Sequence, residues 1–480
     1  MRDALAEGFA AWAESLRWEA MPAEAQAMVR KELLDYVGCL VAGYALAGGE
    51  PWLDVFSGWG GKPEASVAGG VRLPAPAAAL INGYFGHVLE FDDTHDEAVL
   101  HAGASVIPAA MAACERWGPV SGRQFLEAVA LGLEITCRLG VACRRNVAES
   151  GWIYTPLLGG FGAAAAAAWV AARDPDLARR ALGIVYSRAA GNHQTTREGS
   201  PLKHLQPGFA AESGVIAAAL AEAGLAGVQA PFLGEDGFAR VYLGGSFDPE
   251  RALAGLGSVY ELNRLSFKPY PTCRLTHPAI TAALLLRERL GGEAVTTLPI
   301  EAVHVHLGAQ AADIVGRDEP FRRYPVERVP AQFSIYWTVA VALLRGRVTP
   351  VELARDIPPR SDVAALIERI RCRAMDGDGA TRDVGGCVLE VRLPSGTEAV
   401  RVEHARGHPD DPFTDADLWA KFEANLQAAG ATGPEAAHFG RLIAELETRP
   451  DARVLPEAVA ALTARWRGEA GERAGRPRRD

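Results

Sequence analysis

The chain has 480 residues and a formal charge of -10, from 49 lysines and arginines against 59 aspartates and glutamates. That length exceeds what one core organises and implies two or three domains, and the ordinary apolar content excludes a disordered chain. The acidic balance, with no basic stripe to offset it, excludes a nucleic-acid binder.

The seven cysteines (Cys39, Cys114, Cys137, Cys143, Cys273, Cys372, Cys387) are scattered and include no C-x-x-C pair. Neither a disulfide framework nor a zinc or iron–sulfur site is indicated. Met1–Arg17 already carries Asp3, Glu7 and Glu14, so it does not read as a secretory leader. The alanine run Ala163–Ala172 is too short to cross a bilayer. The expectation is a cytoplasmic protein.

In chain order, Pro22 opens a helix in which Ala25, Met28, Val29, Leu33, Val37, Leu40 and Val41 recur at spacings of three and four. Further helices are predicted at Pro76–His87, Ala104–Arg116, Phe125–Arg144, Gly162–Ala172, Leu177–Ala190 and Phe209–Ala223. Ser121 with Gln124 forms a capping signature ahead of the third of these. The pattern changes near Tyr260. A helix at Pro278–Leu290 precedes EAVHVHL, where Val303, Val305 and Leu307 alternate with His304 and His306. Those two histidines share a strand face, which reads as a solvated sheet face rather than a metal site. Ala331–Arg345 reads as helix, and Val388–Leu393 with Ala399–Glu403 flanks a Pro394-Ser395-Gly396 hairpin. Helices return at Asp415–Leu426, Pro434–Glu447 and Pro456–Trp466. The fold class is mainly α with an α+β lid. A helical domain (1–267) is interrupted by a smaller α/β domain (268–404), and helices of 405–480 rejoin the first, with 468–480 a frayed tail.

One stretch concentrates titratable groups. Between Asn82 and Pro108, Glu90, Asp92, Asp93, Asp96 and Glu97 are interleaved with His87, Thr94, His95 and His101. Buried unpaired, such groups would be costly, so the stretch points to proton chemistry or to recognition of a charged ligand. Four more segments read as parts of the same site. They are the glycine-rich Gly151–Gly162, expected as an anion-cradling turn before a helix, Lys203–Gly208, Lys268–His277, and Ala331–Ala340. Lysine is rare in this chain, yet two of its five lysines, Lys203 and Lys268, fall in these segments. A compact ammonium in place of arginine's planar fork is a chemical choice.

Taken together, NG-(x)3-H-x-L-E-FDDTHDEAVLH, GWIYT-(x)5-FGAAAAAA, K-(x)4-G-(x)2-A, FKPYPTC-(x)3-H and AQFSIYWTVAVAL resemble the MmgE/PrpD family, in the same order over Leu33–Leu426. The resemblance implies a helical domain with a smaller lid, a homodimer, and cofactor-free chemistry on di- or tricarboxylates; the lack of a Cys or His cluster with ligand spacing adds the expectation that no metal is used. It implies Asp93, Thr94, His101, Lys203, Lys268 and His277 as site residues. Three positions depart from the pattern. Glu90 stands where members often carry aspartate, Ile153 where many have histidine, and Trp337 where a tyrosine is usual.

The chemistry expected of this set is a lyase. His101, oriented by Asp93, is a base or acid, while Lys203, Lys268 and His277 hold carboxylates and developing charge. Glu90, Thr94 and Tyr154 complete the substrate contacts, and Ile153 with Trp337 favours an alkyl-bearing arm. The reading favours a dehydratase on an alkylcitrate-like polycarboxylate. Decarboxylation or epimerisation on the same acids are its alternatives. A non-catalytic paralogue is the alternative of another class, and the retained acidic stretch and lysines argue against it.

Overall fold

The computed structural model describes residues 3–48, 50–353, 361–375 and 384–467. The tail 468–480 lies outside them. The architecture is mainly helical with one small mixed sheet, as expected.

Helix Tyr154–Ala172 is the central rod, packed by helices Gly103–Trp117, Gly122–Ala142 and Leu202–Glu222. Ala163 through Ala168 are fully buried. Their small side chains let the neighbours close in, and a Cβ on Gly162 would run into the Gly132 carbonyl. This corrects the reading of the glycine-rich segment. The helix starts at Tyr154, with Pro156 tolerated in its first turn, so Gly159, Gly160 and Gly162 are packing positions and form no anion-cradling turn. The longer helix is also 19 residues, enough by length and composition to cross a membrane. Its most apolar window is 89% buried, and it serves as a core helix.

Helix Ala23–Ala47 follows the predicted periodicity, and Ser121 accepts the Gln124 N–H at 3.3 Å to start Gly122–Ala142. The expected helix at Phe209 begins seven residues earlier, at Leu202, so Lys203–Gly208 is helical rather than a lead-in. Pro207 inside it leaves the Lys203 carbonyl without its partner four residues on. Helix Ala75–His87 crosses this one where two glycines meet. A Cβ on Gly83 would stand 2.8 Å from the Gly208 Cα. The close crossing brings His87, at the end of one helix, against Lys203, at the start of the other.

The sheet has the order Ile370–Ala374, Ala302–Leu307, Cys387–Leu393, Gly396–Val402. The first pair is parallel and the others antiparallel, and the hairpin closes at Leu393–Gly396 as the Pro-Ser-Gly signature predicted. Val303, Val305 and Leu307 point to the core while His304 and His306 lie on the half-exposed face. Helix His277–Arg289 packs on the hairpin.

The C-terminal helices return to the first half, where Asp415–Ala428 packs along Ala23–Ala47. An ion pair ties them. Lys421 lies 2.6 Å from Asp35, donates to the Phe91 carbonyl at 2.6 Å, and sits 4.3 Å from the Phe91 ring centroid. Replacing Lys421 with Met leaves Asp35 buried and unpaired, an expected loss of about 3–5 kcal/mol. Urea unfolding checks this; a loss below about 1 kcal/mol would show that Asp35 needs no partner.

Candidate active site

The acid-rich stretch divides in two. Its second half is structural. Asp96 takes a bidentate ion pair from Arg274 (2.9 and 2.7 Å), His95 faces Glu261 at 3.3 Å, and Glu97 faces Arg251 and Arg264. Thr94–His95 pairs as a short strand with Leu265–Ser266, which fixes Lys268 beside the first half.

The first half builds the site around Glu90. This buried carboxylate contacts the Lys203 ammonium, and Lys268 reaches both its carboxylate (3.3 Å) and its own carbonyl (2.9 Å). His87, His204 and His101 stand 3.4, 3.6 and 3.8 Å from its oxygens. Asp92 faces two of the same rings, His87 Nδ1 at 2.8 Å and His101 Nδ1 at 3.2 Å, and Lys203 donates to His87 Nε2 at 2.7 Å. These side chains stand in a ring, running Asp92, His87, Lys203, Glu90, His101 and back to Asp92, in which the two His101 contacts are close approaches rather than hydrogen bonds. The contacts assign the His87 tautomer, with Nδ1–H given to Asp92 and Nε2 accepting from lysine.

Electrostatics follow from burial. Burial alone would raise the Asp92 carboxyl, but His87 and His101 outweigh it and hold Asp92 well below the ordinary range. Burial pushes the His87 and His204 imidazoles well down, which keeps them neutral. It also pushes Lys203 well below the usual lysine range, helped by the Lys268 ammonium, and lowers Lys268 to about 8 although Asp92 opposes it. Lys268 so placed can shed a proton near neutrality.

Asp93 does not orient His101. Its two oxygens accept the N–H groups of Ala102 (2.8 Å) and Gly103 (3.1 Å) and anchor the start of helix Gly103–Trp117. The carboxylate facing His101 is Asp92, one residue earlier. His101 is instead held by its own N–H, donated to the Thr155 hydroxyl at 3.0 Å.

A cavity of about 50 Å³ opens beside the ring. Glu90, His101, Thr155, His193, Thr196, Lys203 and Cys273 are its polar lining; Val99, Val147, Ile153, Leu275, Ile314 and Phe333 are its apolar lining. Of the three non-glycine residues with positive φ among the described residues, Glu90 (51°) and Val99 (52°) both line it. For a β-branched valine that conformation is costly, and such strain gathers at functional sites.

The structure thus brings together Glu90, His101, Lys203, Lys268 and Ile153. Besides Asp93, it leaves five expected site residues off the cavity lining, and one of them, Lys268, is buried against Glu90. Thr94 is buried in its short strand, the Tyr154 hydroxyl donates to the Arg145 carbonyl (2.7 Å), and His277 faces the Thr272 carbonyl (3.2 Å). Trp337 is buried in helix Ile335–Arg345, so the apolar arm expected of Ile153 and Trp337 rests on Ile153 alone. Cys273, four residues before His277, stands at the wall instead. His87, Asp92 and His204 are further members; all lay in the singled-out segments, and their pairing was the missing signal. Ligand atoms of His87, Asp92 and His101 lie within 4.8 Å of one another and are the group here that could hold a divalent ion. Such an ion would have to displace both Asp92–imidazole contacts and face the Lys203 ammonium.

Burial, then the Asp92 charge, raises Asp93 to about 7. The unfolded carboxyl titrates near 4, so between about pH 4 and 7 the folded state holds the extra proton. Its stabilising contribution is full below that window and falls as pH rises through it, by up to about 1.4 kcal/mol per unit. Unfolding free energies from pH 5 to 7 should therefore decline more steeply for the wild type than for Asp93→Asn. Equal slopes would contradict this.

Comparison with known proteins places this geometry in context. Residues 7–250 match the model of the MmgE/PrpD N-terminal domain and residues 270–443 that of the MmgE/PrpD C-terminal domain. Cis-aconitate decarboxylase of Aspergillus terreus is 27% identical over 411 residues, 81% of this chain and 83% of that protein. The cis-aconitate decarboxylase-like protein oryM of Aspergillus oryzae is 30% identical over 436 residues, 86% and 89% of the two chains. Human cis-aconitate decarboxylase is 28% identical over 361 residues, 74% and 73%. Glu90 and Lys203 of the first match share the cavity wall with Cys273 of the second, and the chain belongs to the MmgE/PrpD family.

Proposed function

We propose that this chain is a cofactor-independent lyase that removes a carboxyl group from a cis-aconitate-like tricarboxylate. The observation that carries the reading is the two-sided cavity, in which a cluster of histidine, lysine and carboxylate adjoins a wall of Val99, Val147, Ile153, Leu275, Ile314 and Phe333. A carboxylate pressed against that wall loses hydration, and its departure as CO2 disperses the charge. The electron pair of the broken carbon–carbon bond passes into the remaining unsaturated acid. There a carboxylate held by Lys203 and Lys268 shares the developing charge. His101 supplies the proton that quenches it, and the Asp92–His87–Lys203–Glu90 ring returns a proton to His101. Relatives named cis-aconitate decarboxylase support this choice.

The hydro-lyase reading favoured by the sequence uses the same carboxylate clamps. It also needs an acid at the leaving hydroxyl, for which the apolar wall has no group.

Incubation with cis-aconitate and with citrate or 2-alkylcitrates, followed by NMR of the products and CO2 capture, is the test. CO2 and an unsaturated dicarboxylate from cis-aconitate are expected; loss of water from a citrate without CO2 would overturn the assignment. His101→Ala should lower kcat about 10²-fold or more with the fold intact, and near-wild-type turnover would remove His101 from the mechanism. Prolonged chelation should leave activity unchanged. Restoration of lost activity by one divalent ion would revive His87, Asp92 and His101 as ligands.

A further inference from the structure

The backbone strip Gly151–Thr155 carries a second histidine into the cavity. Trp152 pairs with Asn192 in an isolated antiparallel bridge, the Ile153 N–H donates to the Gly191 carbonyl at 3.4 Å, and the His193 N–H donates to the Gly151 carbonyl at 2.9 Å. The same strip supplies Thr155, which holds His101. Gln206 clamps the turn on its other side, accepting the Asn192 N–H at 2.7 Å and donating to the Asn192 carbonyl (3.2 Å) and the Thr195 hydroxyl (2.9 Å). His193 is therefore fixed in place at 5% exposure, at the cavity wall. Neither its ring nor the Thr196 hydroxyl, also on that wall, has a hydrogen-bond partner among the described residues.

Directly behind this corner lies Arg322, 1% exposed. Its guanidinium donates to the carbonyls of Ile314 (3.0 Å), Phe333 (3.1 Å) and Thr196 (2.8 Å), all three cavity-lining residues. Its carboxylate partner, Glu319 at 2.7 Å, has a side chain 33% exposed. A buried guanidinium whose hydrogen bonds are spent largely on carbonyls leaves positive potential on the wall they form. Arg197 and Arg317 stand nearby, both paired with Asp313 (2.7 and 2.6 Å). Burial first, then Arg197, Arg322 and Arg317 against Asp313, lowers the His193 imidazole to about 4. A neutral ring at pH 7 keeps one N–H to donate.

We propose that His193 and Thr196, backed by Arg322, form a carboxylate subsite that takes the substrate carboxylate remote from the one that leaves. The proposal rests on reading the cavity as a polycarboxylate site and adds to it a means of telling tricarboxylates from dicarboxylates. The group there is a neutral donor in a positive field, so it positions the substrate without passing it a proton. Three carboxylates then have three environments, namely the lysines, the apolar wall and this corner.

The test is calorimetric binding of tricarballylate and of butyrate, whose single carboxylate goes to the lysines, to the wild type, His193→Ala, His193→Gln and Thr196→Val. Loss of a hydrogen bond to a charged group predicts about 10- to 100-fold weaker tricarballylate binding in His193→Ala, with butyrate unaffected. Gln, which keeps a donor, should recover most of the loss, and Thr196→Val should fall between. On cis-aconitate, KM should rise in His193→Ala while kcat holds within a few-fold. Equal losses for both acids, or no loss for either, would overturn the subsite while leaving the polycarboxylate reading intact. A wild type that binds neither acid would overturn that reading and the subsite with it.

Discussion

A carboxylate cut off from water cannot stay ionised without close partners, and Glu90 is where this constraint governs the molecule. Two ammonium groups and three imidazoles surround it, Lys203 and His204 from one helix and the others from separate stretches of chain. The glycine-to-glycine crossing at Gly83 and Gly208 serves that convergence, as does the short pairing of Thr94–His95 with Leu265–Ser266. Glu90 itself is held in a left-handed backbone conformation that a free chain would avoid. Removing either lysine would take away a cation that compensates the buried carboxylate, so packing and polar network are mutually dependent.

The same network sets the chemistry. A neutral buried His87, a Lys203 held well below the usual lysine range and a firmly ionised Asp92 stand in mutual reach, so a proton can pass among them over short distances. The apolar wall beside them removes water from whatever enters. The walls of the cavity come from both family domains, Glu90 through Lys203 on one side and Cys273 through Phe333 on the other.

Much of this was legible in the residues. Helix periodicity located nearly every long helix, and the alternation in EAVHVHL located the central strand. The density of acids and histidines between Asn82 and Pro108 pointed to the candidate site. What the residues could not convey was which neighbour each side chain meets. Asp92 and Asp93 are adjacent and identical in type, yet one holds two imidazoles and the other two backbone N–H groups. The choice depends on where helix Gly103–Trp117 begins. The glycines after Gly151 read as a turn because composition cannot tell a flexible glycine from one that a neighbouring helix requires. His193 carried no signal at all, since it sits in an irregular segment without a motif and gains its place through pairing with Gly151–Ile153.

The central claim is that the Glu90-centred cluster and the apolar wall beside it together bind one polycarboxylate. A crystal structure of the protein with tricarballylate, a saturated tricarboxylate with no double bond to react through, tests it most directly. The account predicts one molecule in this cavity, with a carboxylate within hydrogen-bonding distance of the Lys203 or Lys268 ammonium and its carbon chain against Ile153. Tricarballylate bound elsewhere, with Lys203 and Lys268 contacting Glu90 alone, would contradict it.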